Sequence, residues 1–429
     1  MSLEIAQTAR SFARSQKLSS EIAQFIPGGV DSPFRAFTEV GGHTIFFQGG
    51  SGSRLVDVDG NEYIDYLGAW GPAVLGHCHP QIVAAAQHAV AAGAVFGAPH
   101  VFELEAARAL KQLLPSMEKV RFVNSGTEAV MSAVRLARGA TGRDLIVMFQ
   151  GGYHGHSDSV LASQNHSSSA GVPQASAANT LLVPYNDLPA LRAAFDRQSG
   201  KIAAILIEPV CGSMGVVAPD DGYLQSVAEL CRTNGTLLIF DEVLTGLRVA
   251  RGGAQRRYNI RPDLTCLGKA LAGGMPIGAY GGRAELMDRL LPVGDVYQAG
   301  TFSGNPATMA AVIETIKLLD DSALYEVLER RTAQLFDGLS SAAKKCGQTI
   351  QLQRVGSMFA VIFAPQPVRN YDDHLQIDSK KFSRFFHFIL QHGVYFPPSS
   401  VDAACVSAAH TETDIDETID VCARAFKTL

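Results

Sequence analysis

The sequence predicts an α/β fold built on a mainly parallel, doubly wound sheet, with a smaller α+β domain beside it. Between residues 119 and 282, short apolar runs alternate with helical patterns, as a parallel sheet with crossover helices requires. Several of these runs end in acidic, hydroxyl or glycine residues, which is typical of strands that border a ligand crevice. Hydrophobic residues make up 47% of the 429 positions and 41 residues are glycines, as in a well-buried, loop-rich enzyme.

The pattern along the chain divides it into three predicted parts, which agrees with about 100–200 residues per domain. Residues 1–68 form an N-terminal segment with small antiparallel strands, predicted from the alternating runs 45–47, 54–58 and 63–66. Residues 69–311 form the large α/β domain. Residues 312–429 combine long helical patterns with strand-like pieces and form the C-terminal α+β domain.

Composition excludes several functional classes. The net charge is only −5 and no run of Lys or Arg occurs, so nucleic acid is not an expected partner. No apolar stretch reaches about 18 residues, so no membrane span is expected. The seven cysteines are scattered and form no Cys-x-x-Cys motif, which predicts reduced thiols in a cytoplasmic protein. Two pairs of closely spaced histidines lack a third ligand, so no metal site is expected: His77 with His79, and His154 with His156.

An acid and a lysine at two strand ends are the first candidate catalytic residues. The apolar run 237–240 stops at Asp241, and the run 264–267 stops just before Lys269. Because the carboxyl ends of parallel strands share one edge of a sheet, both side chains can face the same small molecule. This combination suits pyridoxal phosphate, since the amine can form a Schiff base with the cofactor aldehyde while the carboxylate keeps the ring nitrogen protonated. Taken singly, Asp241 could cap a turn and Lys269 could be a surface lysine.

A candidate phosphate site follows the short strand 119–123. Ser125, Gly126 and Thr127 come next and open a helical run, so that backbone N–H groups, hydroxyls and the helix dipole meet at one place. The same residues would serve equally well as a plain helix N-cap. Thr301 lies in a second hydroxyl-rich turn and is another candidate phosphate ligand.

Further candidates surround this core. Tyr153 follows the strand 145–149 and could stack on a planar ring, and the flat face of Trp70 is left open by flanking glycines, although most tryptophans fill cores. Arg35 offers a fork for a carboxylate, with a surface arginine as the alternative. Residues 157–180 lack periodicity and are predicted to be a lid.

Together these stretches resemble the class III aminotransferases, a family of fold-type I pyridoxal phosphate enzymes. The resemblance covers nearly the whole chain and implies a seven-stranded, mainly parallel sheet in the large domain. Six motifs in the family's order carry it: Asn124-Ser125-Gly126-Thr127-Glu128-Ala129, Gly152-Tyr153-His154-Gly155, Glu208-Pro209 after the buried run 202–207, Asp241-Glu242-Val243, Thr245-Gly246, and Pro262-Asp263 through Leu267-Gly268-Lys269.

The resemblance assigns roles to individual residues. It implies that Lys269 holds the cofactor, Asp241 pairs with its ring nitrogen and Tyr153 covers its ring, and these three are the predicted catalytic residues. The other implied cofactor-binding residues are Ser125, Gly126, Thr127, His154, Glu208, Ser213, Val243 and Thr301. The implied substrate-binding residues are Ser32, Arg35, Trp70 and Asp402. Thr301 would reach the phosphate of a neighbouring subunit, which implies a homodimer.

Within the family, the stretches around Arg35, Trp70 and Thr301 resemble those of aminomutases. The implied reaction converts (S)-4-amino-5-oxopentanoate into 5-aminolevulinate, with the cofactor entering the cycle in its pyridoxamine form. The chain departs from the pattern at Ser213 and Asp402, where the family usually has asparagine and glutamate. Two alternatives share the scaffold: an aminotransferase of a β- or ω-amino acid with a separate keto-acid acceptor, and a catalytically silent binding protein.

Overall fold

The computed structural model describes residues 10–161 and 170–429. Its strands are β1 (Phe47–Ser51), β2 (Arg54–Asp57), β3 (Glu62–Asp65), β4 (Lys119–Val123), β5 (Leu145–Phe149), β6 (Thr180–Val183), β7 (Ile202–Ile207), β8 (Leu237–Asp241), β9 (Leu264–Gly268), β10 (Gly278–Gly282), β11 (Gln351–Val355), β12 (Met358–Ile362), β13 (Val394–Tyr395) and β14 (Ala404–Cys405). None of the helices in these two ranges is long and apolar enough to cross a bilayer.

The helices vary from single turns to 24 residues. They are α1 (Ala13–Ile22), α2 (Pro80–Ala92), α3 (Val101–Leu113), α4 (Gly126–Thr141), α5 (Asp158–Leu161), α6 (Gln174–Ala177), α7 (Leu188–Arg197), α8 (Tyr223–Asn234), α9 (Gly253–Arg257), α10 (Ala284–Met287), α11 (Pro306–Leu319), α12 (Ser322–Lys345), α13 (Tyr371–His374), α14 (Ser379–Gln391) and α15 (Glu412–Phe426). Short 3₁₀ turns occur at Pro27–Gly29, Pro33–Arg35, Gly68–Trp70, Gly212–Met214 and Lys269–Ala272.

A seven-stranded sheet in the order β4-β10-β9-β8-β7-β5-β6 forms the centre of the molecule. Within it, β10 runs antiparallel to both of its neighbours, and the other adjacent pairs are parallel. The predicted α/β fold with a mainly parallel seven-stranded sheet is therefore confirmed.

The central strands are covered on both faces. Every residue of β7, β8 and β9 is buried, as expected for parallel strands with helices on either side. Along β8, Leu238 and Phe240 enter one apolar core together with Val227 of α8, whereas Ile239 enters the opposite core together with Val134 of α4. The alternation of side chains along an extended strand explains this split.

Strands from the N-terminal and C-terminal regions pair in a smaller sheet of order β1-β2-β3-β13. Strands β1, β2 and β3 are antiparallel, whereas β13 pairs in parallel with β3, Val394 lying opposite Ile64. A third sheet, β11-β12-β14, belongs to the C-terminal region. The division at residues 68 and 311 stays a prediction, and the N-terminal segment shares its sheet with the C-terminal one.

Candidate active site

The candidate active site is a pocket of ≈ 270 Å³ joined to one of ≈ 370 Å³, because Tyr153 and Ser213 line both. The larger pocket lies where β7, β8 and β9 end and α4 begins. The carboxyl edge of a parallel sheet is where α/β folds place their ligands. The residues of the larger pocket that carry its chemistry are Ser125, Thr127, His154, Glu208, Asp241 and Lys269.

Lys269 follows directly after β9 and has a φ of 41°, in the left-handed region. Such a backbone costs a non-glycine residue free energy and occurs preferentially at functional sites. Burial lowers the pKa of the Lys269 amine, although the nearby carboxylates of Glu208 and Asp241 act in the opposite direction. A larger share of neutral amine is thereby available for bond formation and proton transfer.

Asp241 is the last residue of β8 and is buried at 3% exposure. Its Oδ2 lies 2.7 Å from Nδ1 of His154, and its Oδ1 accepts a hydrogen bond of 3.0 Å from the Val243 N–H. Burial alone would lower the pKa of His154, but the hydrogen bond and charge of Asp241 raise it above its ordinary value. A carboxylate held in this way presents a fixed negative charge at the pocket, on the strand next to the one that carries Lys269.

The phosphate candidates cluster at the start of α4. Ser125 is its N-cap, and the Ser125 hydroxyl accepts a hydrogen bond of 3.1 Å from the Glu128 N–H. At the first helical positions, Gly126 and Thr127, backbone N–H groups have no partner within the helix and are available to an anion. A Cβ on Gly126 would come within 2.9 Å of Val243 Cγ1, so only glycine allows this close approach.

Glu208 anchors two loops of the pocket. Its carboxylate accepts hydrogen bonds from the Tyr153 N–H (2.9 Å) and the Gly212 N–H (3.1 Å). Burial raises the pKa of Glu208. The structure thus gives this acid a second task besides lining the pocket, since it holds Tyr153 and the turn that contains Ser213 in place.

The smaller pocket brings together Trp70, Asp402 and the ring of Phe34, whose centroid lies 5.2 Å from that of Tyr153. Burial raises the pKa of Asp402 to about 6, with hydrogen bonds from Ser399 and Ser213 opposing the rise. Ser213 and Asp402, where the sequence departs from the pattern expected of the family, both line this pocket. A small polar substrate fits a pocket of this size and lining.

Arg35 and Ser32 are not among the residues that line either pocket. Their neighbours Pro33, Phe34 and Ala36 are, and Arg35 is exposed at the end of the Pro33–Arg35 turn. Binding of a substrate carboxylate by these two residues stays a prediction.

Sequence reasoning missed several residues of the smaller pocket, among them Glu39, Tyr371, His374 and Ser399. Tyr371 and His374 belong to α13 and stack with ring centroids 5.1 Å apart. No motif marks them, because long-range packing of the C-terminal region brings them to the pocket.

Two predicted elements contribute no described residue to the lining of either pocket. Thr301 is exposed in the loop before α11 and lines neither pocket, so its contribution to a neighbouring site stays a prediction. The predicted lid, residues 157–180, contains α5 and α6. Its residues 162–169 lie outside the described part of the chain, and lid closure also stays a prediction.

Comparison with known proteins identifies the family. The sequence profile described as "Aminotransferase class-III" matches residues 37–427. The chain belongs to the class III aminotransferase family. It is 49% identical to glutamate-1-semialdehyde 2,1-aminomutase 2 of Brevibacillus brevis, over 96% of this chain and 98% of the relative. It is 50% identical to glutamate-1-semialdehyde 2,1-aminomutase of Opitutus terrae, over 97% and 99%.

Solved structures agree with this placement. An omega-transaminase from Sphaerobacter thermophilus superimposes with a TM-score of 0.91 at 30% identity, over 96% of this chain and 97% of that one. A transaminase with PLP bound superimposes with a TM-score of 0.89 at 30% identity, over 98% of both chains.

The cofactor of this class III enzyme is pyridoxal phosphate, and the residues of the larger pocket fit it. The pocket offers a lysine amine, a buried carboxylate that a protonated ring nitrogen can contact, and a helix N-terminus with hydroxyls for a phosphate. We assign these tasks to Lys269, to Asp241 and to the segment Ser125–Thr127. Tyr153, which lines both pockets, would cover the ring of the cofactor.

Proposed function

We propose that the chain converts glutamate-1-semialdehyde, (S)-4-amino-5-oxopentanoate, into 5-aminolevulinate, a step of tetrapyrrole biosynthesis. The observation that carries this proposal is identity of 48–50% over nearly the full length with relatives named glutamate-1-semialdehyde 2,1-aminomutase. The enzyme is an isomerase, because the amino group leaves one carbon of the substrate and the neighbouring carbon receives one.

The residues of the two pockets can support this reaction. When bound, pyridoxal phosphate supplies a group that carries the amine and a ring that takes up electron density. Lys269, with its lowered pKa, can remove a proton from one carbon and return it to another. Asp241 supplies a fixed negative charge where the ring nitrogen would lie, and Trp70 and Asp402 border the space left for the substrate.

A single-substrate assay tests the proposed function. Purified enzyme in the pyridoxamine form, supplied with glutamate-1-semialdehyde and no keto acid, should form 5-aminolevulinate over many turnovers. The reason is that an isomerase regenerates its own cofactor form in each cycle. Turnover that stops after about one per site and resumes only when a separate amino donor restores the pyridoxamine form would instead identify an aminotransferase.

We also propose that the enzyme is a homodimer and that Thr301 binds the cofactor phosphate of the neighbouring subunit. Support comes from exposed apolar side chains around this loop. Phe302 is 59% exposed and Phe96 is 54% exposed. The loop is tied to the Phe96 region, because His100 Nε2 lies 2.5 Å from the Gly304 carbonyl oxygen and packs edge-on against Phe96. Clustered exposed aromatic residues are typical of protein–protein interfaces.

Replacing Phe302 by aspartate should weaken this dimer, because a buried, unpaired charge is costly at an interface. Sedimentation velocity should show a shift from dimer toward monomer, accompanied by loss of bound cofactor. Phe25→Asp is the matched control, since Phe25 is 79% exposed at the end of the first helical region and should not alter the assembly. An unchanged dimer in the Phe302 variant would argue against this surface as the interface.

We further infer that the enzyme works in the cytoplasm. The inference is supported by the seven cysteines, all of which are free and five of which are buried. Free thiols that lie mainly in the core are common in a reducing compartment.

A further inference from the structure

The segment Gly68–Gly71 is a left-handed turn beside the candidate active site. Four consecutive residues lie in the left-handed region, with φ of 55° for Gly68, 54° for Ala69, 65° for Trp70 and 113° for Gly71. A left-handed backbone is unfavourable for alanine and tryptophan, because their Cβ atoms crowd the backbone. Strain of this kind persists only where surrounding contacts hold it.

This turn touches both pockets. Trp70 lines the smaller pocket, and Pro72, which follows the turn, lines the larger one. A Cβ built on Gly71 would lie 3.3 Å from Cδ of Lys269 and 2.7 Å from Cδ1 of Leu244, so the backbone of Gly71 packs directly against the catalytic lysine. A shift of the turn would therefore move the substrate wall and loosen Lys269 together.

Arg248 forms hydrogen bonds with the carboxyl end of the turn. Its Nε donates a hydrogen bond of 3.0 Å to the Gly71 carbonyl oxygen, and its Nη2 donates to the same oxygen. The Nη1 group donates to the Ser357 hydroxyl (3.3 Å) and to the Val406 carbonyl oxygen (3.4 Å). Arg248 is thus a buried bridge from the turn to the C-terminal region.

The environment of Arg248 is unusual for a buried cation. Its side chain is fully buried, at 0% exposure. Within residues 10–161 and 170–429, no carboxylate forms a salt bridge with it. Burying a charge without a counter-ion costs free energy, and an apolar side chain of similar size often gives a protein of equal stability. Stability alone therefore does not explain an arginine at this position.

The amino end of the turn is held separately. Asp65, which ends β3, accepts hydrogen bonds from the Leu67 N–H (2.9 Å) and the Gly68 N–H (3.1 Å). Its Oδ2 also lies 2.6 Å from Nε2 of His77. Asp65 holds the start of the turn. The other end, at the Gly71 carbonyl, is held by Arg248.

We propose that Arg248 is a positioning residue: it holds the Gly68–Gly71 turn in its left-handed conformation and thereby sets Trp70 and Lys269 in their working geometry. The inference depends on the proposed function only through the activity measurement described below. The other measurement is the fluorescence of Trp70, which needs no substrate.

Trp70 makes the test specific, because it is the only tryptophan of the chain. In the holoenzyme, Arg248→Met should shift Trp70 emission to longer wavelength and increase its quenching by acrylamide, since the turn is released toward solvent. We expect kcat to fall about 10²-fold, the loss that a misplacement of about 1 Å can cause. Arg248→Lys, whose ammonium can still donate to the Gly71 carbonyl, should recover part of both signals.

Arg143→Met is the matched control. Arg143 also holds two backbone carbonyls, those of Ile202 and Asn234, each at 3.0 Å, but it lines neither pocket. This variant should lower the melting temperature and leave Trp70 emission and kcat unchanged. A merely structural role for Arg248 would make its methionine variant behave in the same way, and that result would overturn the proposal.

If Arg248→Met does not fold, Arg248→Lys tests the proposal. One ammonium cannot satisfy Gly71, Ser357 and Val406 together, so Trp70 in Arg248→Lys should be quenched more strongly than in the unmodified enzyme. Quenching and kcat equal to those of the unmodified enzyme would also overturn the proposal. Failure of the single-substrate assay with a normal optical response would affect only the proposed function.

Discussion

Lys269→Ala should abolish turnover while the protein remains folded. The substitution removes both the amine that bonds to the cofactor and the amine that moves protons, so we expect kcat to fall by more than about 10⁴-fold. The absorbance band of the lysine-bound cofactor should disappear from the spectrum, and far-UV circular dichroism should stay the same.

Lys269→Arg distinguishes the effect of the positive charge from the effect of a reactive amine. The guanidinium remains protonated and cannot act as the required nucleophile or base, so the arginine variant should be as inactive as the alanine variant. Lys119→Ala is the control for loss of a lysine, because Lys119 is a half-exposed residue whose ammonium contacts Asp288 on the surface. Turnover at the normal rate in either Lys269 variant would dismiss the catalytic assignment.

Asp241→Asn should cause the second largest loss, with kcat falling about 10²–10³-fold, as when a preorganised electrostatic contact is removed. The amide keeps the shape of the side chain but not its charge. The pKa of His154 should fall, because a buried histidine without a carboxylate partner favours the neutral form. Titration of the histidine signals by NMR can measure this shift directly.

The same pair gives a signed pH dependence of stability. A histidine whose pKa is raised on folding adds stability below its unfolded pKa of about 6.5, and this contribution is lost as the pH rises through the folded pKa. Asp241→Asn should therefore cost more unfolding free energy at about pH 5.5 than at about pH 9. An equal cost at both values would contradict the assignment of the raised pKa to Asp241.

Glu242 is the internal control for Asp241. The two acids are adjacent, but Glu242 accepts hydrogen bonds from the Ala254 and Gln255 N–H groups and from the Thr245 hydroxyl. Glu242→Gln should reduce stability without changing the cofactor spectrum. A comparable spectral change in both variants would show that charge in the region, not contact with the cofactor, is what matters.

Sequence reasoning succeeded where a strand is buried on both faces. The runs 145–149 and 202–207 coincide with β5 and β7, because continuous apolar residues between polar ends mark such strands clearly. The mixed run 119–123 coincides with β4, which is buried only at its carboxyl end. The meeting of Asp241 and Lys269 in one pocket followed from the rule that parallel strands end together.

Other features could not be read from local patterns. The run 45–47 was predicted as a strand, but β1 is Phe47–Ser51, whose two glycines have low strand propensity and are held by pairing with β2. The antiparallel direction of β10 depends on how the chain returns between β9 and β4. Arg248 carries no motif that predicts its burial, since its partners come from distant parts of the sequence.

The pairing of β3 with β13 has a consequence for folding during synthesis. During synthesis, Ile64 leaves the ribosome more than 300 residues before Val394, its partner in the sheet. Until then the amino-terminal sheet lacks one of its strands and offers an unpaired edge to other nascent chains. Chaperones that shield exposed strands should therefore be needed mainly before translation ends, and truncated chains that lack β13 should aggregate.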